Sequence, residues 1–515
     1  MKEKNFNYKT LMLTTLIISG CSIIYEVLIS AVSSYLVGDS IKLFSITIGL
    51  YMFAMGIGSY ISKYIKDKLF DWLIRVELSV GIFGGLSSVI LFSANAYLSS
   101  YTIIMLFLIV IIGILVGLEI PLLTRIMEEN KSNLSVTLSN IFSFDYIGGL
   151  VGSIAFPLLL LPQLGYFTTS FLVGSVNIFV AILILISYKE YIFNYHKFKY
   201  IMAICLSVML LGTIFSQDLS ATIEDKMYRD KVIYSKQTEY QRIVMTKYKD
   251  DIRLFLDGNI QFGSRDEYRY HEALVHVPLS LAQNKSDILI LGGGDGLAAR
   301  EVLKYNEVKN ITLVDLDKDM VELCKTNNHI VALNEGALSN KKLNVVNNDA
   351  FKYLEDSNKL YDVIIVDLPD PNNETLNKLY TNLFYRLCYK NLNQDGIMVV
   401  QSTSPYSAPK SFWCINKTIK SEGFDVYPYH LQVPSFGDWG FNLAIKSNSN
   451  DIKGDIYKSI DFGNIEMKYL NEDVIPGLFS FSEDEKADMS KLDVNSLSNP
   501  KLINYYQEAV EKWNW

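Results

Sequence analysis

The stretch DILILGGGDGLAARE, residues Asp287 to Glu301, decides the fold of the second half of the chain. Ile288 to Leu291 is an apolar run of the length and type of a strand buried on both faces, and Leu297 to Lys304 reads as a helix. Between them Gly292, Gly293, Gly294 and Gly296 carry no Cβ to keep the backbone away from a ligand, and the helix start offers unpaired N–H groups. That pattern predicts a nucleotide site. A second strand, Ile311 to Val314, ends in Asp315 about twenty residues on, the interval at which an acid accepts hydrogen bonds from ribose hydroxyls. Asp295 stands inside the glycine cluster, where a carboxylate would repel a diphosphate, so the loop suits a positively charged nucleoside better than NAD.

Downstream, Leu343 to Val346, Tyr361 to Val366 and Gly396 to Gln401 read as further strands, with a helix over Leu376 to Leu392 and a closing antiparallel pair in Gly423 to Lys446. Alternating strand and helix units predict a parallel sheet with helices on both faces, whose ligands lie beyond the carboxyl ends of the strands. Asp295, Asp315, Asp349 and Asp367 all fall at such ends, and Asp370 follows in DLPDP, where Pro369 and Pro371 restrict the backbone around the two acids. Upstream, Arg242 to Lys247 and Ile252 to Asp257 alternate around a polar turn, predicting a small β-hairpin unit, and Asp266 to Leu279 reads as a helix.

The chain has 515 residues, is 50% hydrophobic, and carries its apolar excess in the first two-fifths. Runs near 10–30, 41–62, 74–95, 101–124, 141–162, 166–188 and 200–216 each approach the ~20 residues that cross a bilayer, so about seven spans are expected. Gly113 and Gly117, and Gly148 and Gly152, have the four-residue spacing of close helix packing. Glu26, Glu119 and Asp145 lie inside apolar runs and are expected to face the bundle interior, either bonded to neighbouring hydroxyls or facing a cation. Lys2, Lys4 and Lys9, then Lys63, Lys66, Lys68 and Arg75, Arg125 and Lys131, and Lys189, Lys197 and Lys199 alternate with turns that carry no basic residue, which places the N-terminus in the cytoplasm. An odd number of crossings then puts the second half outside, and the short run at 200–216 decides the side. Five cysteines follow no metal or disulfide spacing, so no metal site is expected. The net charge of −8 argues against a nucleic-acid surface and is compatible with cationic substrates.

Eight blocks share one order with a known family: QTEYQ at 237–241, LDGNIQ at 256–261, DEYRYHE at 266–272, LGGGDGLAAREVLK at 291–304, LVDLD at 313–317, NDA at 348–350, DLPDP at 367–371 and VVQ at 399–401. Over roughly 230–447 the chain resembles the spermidine synthase family of polyamine aminopropyltransferases, and its multi-span first part is similar to the membrane-attached bacterial branch. The resemblance implies transfer of an aminopropyl group from decarboxylated S-adenosylmethionine, a co-substrate and not a cofactor, to an amine such as putrescine, leaving methylthioadenosine. It implies Asp367 as proton acceptor; Gln241, Asp315, Asp349 and Ala350 around the nucleoside, beside Gly292 and Gly294 of the glycine loop; and His271, Asp295 and Asp370 on the amine side. Tyr268, Tyr270, Tyr406, Phe436 and Trp439 are candidates to wall the amine's aliphatic stem. Two positions depart from the family pattern: Asn372, Asn373 and Glu374 replace a glycine–proline turn, and Asp315 replaces a glutamate.

The expected architecture is an N-terminal all-α multi-span membrane bundle at the cell membrane and a C-terminal α/β, Rossmann-like sheet of methyltransferase type, preceded by the small β-hairpin domain. The boundaries are 1–216, 217–265, 266–450 and a 451–515 extension in which the sequence offers no chemistry. Expected partners are a small cationic amine and the lipid bilayer, with no nucleic acid, and a homodimer is compatible with the pattern. Two other readings remain: a methyltransferase using intact S-adenosylmethionine, whose carboxylate Asp295 would disfavour, and a polyamine transporter or sensor whose second half only binds.

Overall fold

Long apolar runs with no period-two alternation become helices. In a computed structural model that describes residues 6–37, 40–98, 101–129, 134–228, 230–446 and 455–513, they fill the first of two compact units, Met1–Thr246 and Lys247–Trp515. The first unit holds α1 (Tyr8–Val37), α2 (Ser40–Ile61), α3 (Leu69–Gly85), α4 (Ser87–Tyr97), α5 (Tyr101–Glu129), α6 (Leu134–Ala155), α7 (Leu161–Ser187), α8 (Tyr195–Ile214) and α9 (Ser216–Tyr228), then strand β1 (Lys231–Gln237). The chain passes to the second unit within β2 (Arg242–Tyr248). Residues 217–228, expected within the small β domain, are helical, as part of α9.

Five described helices are long and apolar enough to cross a membrane, six if α3 and α4, bent by 41°, count as one span. One of the five, Ser135–Ser187, has 53 residues, far beyond the ~20 a single crossing uses. Gly165, with φ +72° and ψ −179°, breaks it in two. The small-residue spacing marks the tight contacts. A Cβ on Gly117 of α5 would lie 2.1 Å from the Met55 carbonyl of α2, and one on Gly148 of α6 would lie 2.1 Å from the Leu16 carbonyl of α1.

Of the acids expected inside the bundle, Glu119 is buried while Glu26 and Asp145 are half-buried. A fourth, Glu77 on α3, is fully buried and escaped the sequence reading. Its Oε2 accepts from Asn177 Nδ2 at 2.9 Å, and Asn177 Oδ1 accepts from Tyr25 Oη at 2.9 Å, tying α3, α7 and α1 together.

The second unit starts with the antiparallel pair β3 (Asp251–Leu256) and β4 (Asn259–Gly263), in which Leu254 faces Phe262. Then come α10 (Glu267–Leu281), β5 (Asp287–Gly292), α11 (Leu297–Val302), β6 (Asn310–Asp315), α12 (Lys318–Thr326), α13 (Asn328–Asn334), β7 (Leu343–Asn347), α14 (Ala350–Asp356), β8 (Tyr361–Asp367), α15 (Glu374–Asn377), α16 (Asn382–Asn391), β9 (Leu392–Gln401), α17 (Pro409–Lys420), β10 (Asp425–Val433) and β11 (Gly437–Ile445). The single helix expected over 376–392 is divided because the Thr381 hydroxyl caps a fresh start, accepting from the Phe384 N–H at 3.4 Å. After 455 the chain is mostly irregular, with short α18 (Ile475–Leu478) and the C-terminal α19 (Lys501–Trp513).

The sheet order is β10-β11-β9-β8-β5-β6-β7. The strands β9, β8, β5, β6 and β7 run parallel, and β11 and β10 close the edge antiparallel. From β5 the chain winds outward through β6 to β7, then returns to the other side of β5 for β8. The two loops that part there, after β5 and after β8, open the crevice in which such sheets bind ligands.

Candidate active site

The glycine loop is built around the protein's own backbone. Gly292, at φ +82°, pairs in register with Asp367, and a Cβ there would lie 2.0 Å from the Asp367 carbonyl. A Cβ on Gly294 would lie 2.6 Å from Asp315 Oδ2, which instead accepts a bond from the Gly294 N–H at 3.1 Å. The space on the Cβ side of these two glycines is filled by strand β8 and by Asp315. Asp315 also accepts from the Asp317 N–H at 2.9 Å, and burial pushes its carboxyl up to about 6. Each carboxylate oxygen keeps a second lone pair for a hydroxyl.

A chain of charge lies behind the loop. Arg300 grips both oxygens of Glu267, at 2.8 and 3.0 Å, and reaches Glu301 at 2.7 Å. Glu301 also meets His276 at 2.8 Å. Burial works against the Glu267 charge, but His271 and Arg300 outweigh it and hold the carboxyl down near 2. His271, one helical turn along α10, sets Nδ1 2.9 Å from Glu267 Oε2. Burial opposes its charge too, yet Glu267, Asp295 and Asp367 raise it to about 9. These carboxylates favour the imidazolium form of His271, whose charge in turn opposes the rise of Asp295 and Asp367.

Those carboxylates are Asp295 and Asp367. Asp295 Oδ1 accepts from the Leu297 N–H at 2.9 Å at the start of α11, and burial raises its carboxyl. Asp367 Oδ1 accepts from Tyr270 Oη at 2.6 Å. Burial first, and the Asp295 charge second, push Asp367 up to about 6, against His271 and Tyr270. A half-buried carboxylate poised near neutrality suits a proton acceptor. Phe436 packs edge-on to Tyr270 with centroids 5.9 Å apart, and Trp439 stands 4.9 Å from Phe436, so three of the five aromatic candidates form one wall. Tyr268 instead lies under the Lys468 ammonium, and Tyr406 packs on Trp513.

Asp370 accepts three side-chain hydrogen bonds. Its Oδ2 accepts from Thr403 Oγ1 at 3.1 Å and Tyr506 Oη at 3.0 Å, its Oδ1 from Gln401 Nε2 at 3.4 Å, and burial lifts it to about 6. Thr403 adopts φ +58°, a conformation rare outside glycine, to make this contact. Asp349 caps α14 by accepting from Phe351 N–H at 2.9 Å, and it pairs with Lys378. Burial opposes its charge, but Lys378 wins and holds the carboxyl low. Ala350 is buried behind it as the first residue of α14. Gln241 lies in the first unit, before β2, its N–H donating to Thr238 Oγ1 at 3.1 Å.

Tyr506 and the Glu267–Arg300 pair had not been singled out from sequence; nothing in the spacing of α19 aims Tyr506 at Asp370. Among the described residues, His430, Asp438 and Glu485 are the only group with metal-ligand proximity. Both His430 nitrogens are already engaged, Nδ1 with Asp438 and Nε2 with the Ser480 carbonyl, each at 2.7 Å, as in an ion-paired imidazolium.

A sequence profile for the Spermine/spermidine synthase domain matches residues 267–455. The chain is 40% identical over 511 residues to a polyamine aminopropyltransferase of Leptospira interrogans, covering 98% of both chains. It is 40% identical to one of Oceanobacillus iheyensis, covering 96% of both. Among solved structures it is similar to a spermidine synthase in complex with the transition state analogue AdoDATO, at 30% identity and a TM-score of 0.45 over 49% of this chain and 85% of that one. It is likewise similar to the spermidine synthase from Thermotoga maritima, at 30% identity and a TM-score of 0.44 over 49% of this chain and 84% of that one.

Proposed function

The chain belongs to the spermine/spermidine synthase family, the polyamine aminopropyltransferases, and from that premise we propose that it transfers the aminopropyl group of decarboxylated S-adenosylmethionine to putrescine or a related amine. The observation that carries this reading is the Asp367 carboxylate at the β5–β8 crevice, bonded by Tyr270 and raised by burial and by the charge of Asp295, with the His271 ring working against that rise. An acceptor ammonium gives a proton to Asp367. The freed nitrogen lone pair attacks the aminopropyl carbon bonded to sulfur, a C–N bond forms, and the C–S electrons return to the sulfonium, which leaves as the neutral thioether methylthioadenosine. Sulfonium is a good leaving group, so alignment of nitrogen, carbon and sulfur supplies much of the rest.

Asp295 also argues against intact S-adenosylmethionine, whose carboxylate it would repel, and for a donor ending in a bare ammonium. Asp315 is the residue we assign to the ribose hydroxyls; Asp349 and Ala350, on the same edge, border the base. Gln241 keeps its nucleoside assignment on family likeness alone.

The first unit is proposed to anchor the enzyme in the cell membrane. Apolar side chains such as Ile103, Phe107, Ile204 and Leu150 are 60 to 70% exposed on its helices, an outer surface suited to lipid. The stretch broken at Gly165 supplies two crossings, which brings the proposed total to about seven.

The test gives purified full-length protein decarboxylated donor and putrescine and follows methylthioadenosine. Release that depends on both substrates supports the reading. Methyl transfer from intact S-adenosylmethionine, or amine binding without turnover, would replace it by one of the two alternatives.

A further inference from the structure

The C-terminal helix α19 lies beyond residues 267–455, which the family profile matches, yet it reaches the site. Leu502 and Ile503 at its start are buried, the former in the core under the sheet. Its far end is held by exposed contacts: Lys410 with Glu508 at 2.6 Å, and Trp513 Nε1 donating to the Ser407 carbonyl at 3.0 Å. Tyr506 lies between, with its hydroxyl on Asp370. On Asp370 the bonds are unequal. Oδ2 is filled by Thr403 and Tyr506, while Oδ1 receives only the long contact from Gln401. Among the described residues Oδ1 is the less occupied oxygen and so the one with room for a cation, while Oδ2 is closed by the Thr403 hydroxyl and the Tyr506 phenol.

We propose that α19 is the end wall of the acceptor site and that Tyr506 sets the length of amine accepted, by occupying the side of Asp370 that a longer chain would have to pass. The proposal rests on the aminopropyl-transfer reading. Tyr506 touches Asp370 and not the reacting atoms, so it is a specificity-determining residue. Its hydroxyl also fixes the orientation of the carboxylate and favours the ionised form that an ammonium needs.

The experiment measures kcat and KM of full-length protein for 1,3-diaminopropane, 1,4-diaminobutane, 1,5-diaminopentane and spermidine at saturating decarboxylated donor. The variants are Tyr506→Ala, Tyr506→Phe and Glu508→Gln. In Tyr506→Ala the ratio of kcat/KM for the longer acceptors over the preferred one should rise by about tenfold or more, the scale of discrimination one methylene carries in a shaped pocket, with the donor KM unchanged. Tyr506→Phe keeps the ring and therefore the length preference, but its acceptor KM should rise at a higher pH than in wild type, because Asp370 has lost a donor to its ionised form. Glu508→Gln loosens only a surface tie and should keep the wild-type ratios. An unchanged ratio in Tyr506→Ala, or an equal shift in Glu508→Gln, overturns the proposal and leaves α19 structural. If Tyr506→Ala fails to fold, an unmoved pH profile of acceptor KM in Tyr506→Phe overturns it. Wild-type protein inactive with every amine would remove the aminopropyl-transfer reading, and this inference with it. An active wild type with insensitive variants removes only the inference.

Discussion

Replacing Asp367 by Asn removes one charge and keeps an oxygen that can accept from Tyr270 Oη, now 2.6 Å from Oδ1. Two consequences should separate. General bases typically contribute 10²–10⁴-fold, so turnover should fall by about two to four decades while methylthioadenosine affinity holds. Stability should move the other way. Burial and Asp295 raise the carboxyl from 3.8 to about 6, and at 1.36 kcal/mol per pKa unit the ionised form at neutral pH costs up to about 3 kcal/mol, of which solvent at the crevice mouth screens a part. The sign follows from the direction: a carboxyl raised in the folded state stabilises below its unfolded pKa, and that contribution is lost as pH rises through about 6. Above pH 7 the Asn variant should therefore unfold at an equal or higher temperature than wild type. Wild-type kcat/KM should climb through a macroscopic pKa near 6 that belongs to the coupled Asp367–Asp295 pair, and the residual rate of the variant should lack that limb. The assay is methylthioadenosine release from pH 5 to 9 beside thermal unfolding of the same samples. Wild-type turnover in the variant, or lost turnover together with a markedly lower unfolding temperature, would refute Asp367 as the base.

His271, raised from 6.5 to about 9 mainly through Glu267 against burial, adds stability that is full below about pH 6.5 and lost as pH passes about 9; His271→Gln should flatten that part of a denaturation-versus-pH curve. Arg300→Met takes one charged partner from each of the buried Glu267 and Glu301 carboxylates, leaving His271 to the first and His276 and Lys304 to the second, and should cost up to about 3–5 kcal/mol in chemical unfolding, the scale for breaking a buried pair from one side. Adding Glu267→Gln should recover part of the loss, and no recovery would show that the pair is not the cause. Gly294→Ala puts a Cβ 2.6 Å from Asp315 Oδ2, so methylthioadenosine affinity by calorimetry should drop by at least about tenfold, and undiminished affinity would take Asp315 out of the nucleoside site.

The sheet was legible because its strands are signalled locally. ILIL at 288–291, ITLV at 311–314 and VIIV at 363–366 are apolar runs that only a strand buried on both faces explains, and each ends in the polar residues that a crevice needs. What failed is what no local pattern encodes. The break at Thr381 turns on one hydroxyl bond, and α9 on a polar sequence whose mean hydropathy marks neither membrane nor core. Glu77 lies in the 74–95 run, where the rule that marked Glu26, Glu119 and Asp145 applies equally; what no local pattern shows is its partner, Asn177, 100 residues away on another helix.

The same distinction divides the site. Asp295, Asp315, Asp349 and Asp367 were found as strand-end acids, a position within one element. The states they hold are set by residues that no strand-end rule singles out. His271 is charged because Glu267 sits one turn before it, and Glu267 stays ionised because Arg300, a helix away, binds both of its oxygens. A sequence that places a carboxylate at a crevice thus says little about whether it is an acid or a base there. That is decided by the buried charges behind it, and here they form one chain from Glu301 through Arg300, Glu267 and His271 to Asp295 and Asp367. Charge removed anywhere along that chain should be felt at its end, so Arg300→Met should shift the acidic limb of the pH–rate profile as well as stability. A change in stability alone would mean that Asp367 is tuned by burial and Asp295 without help from the helix behind.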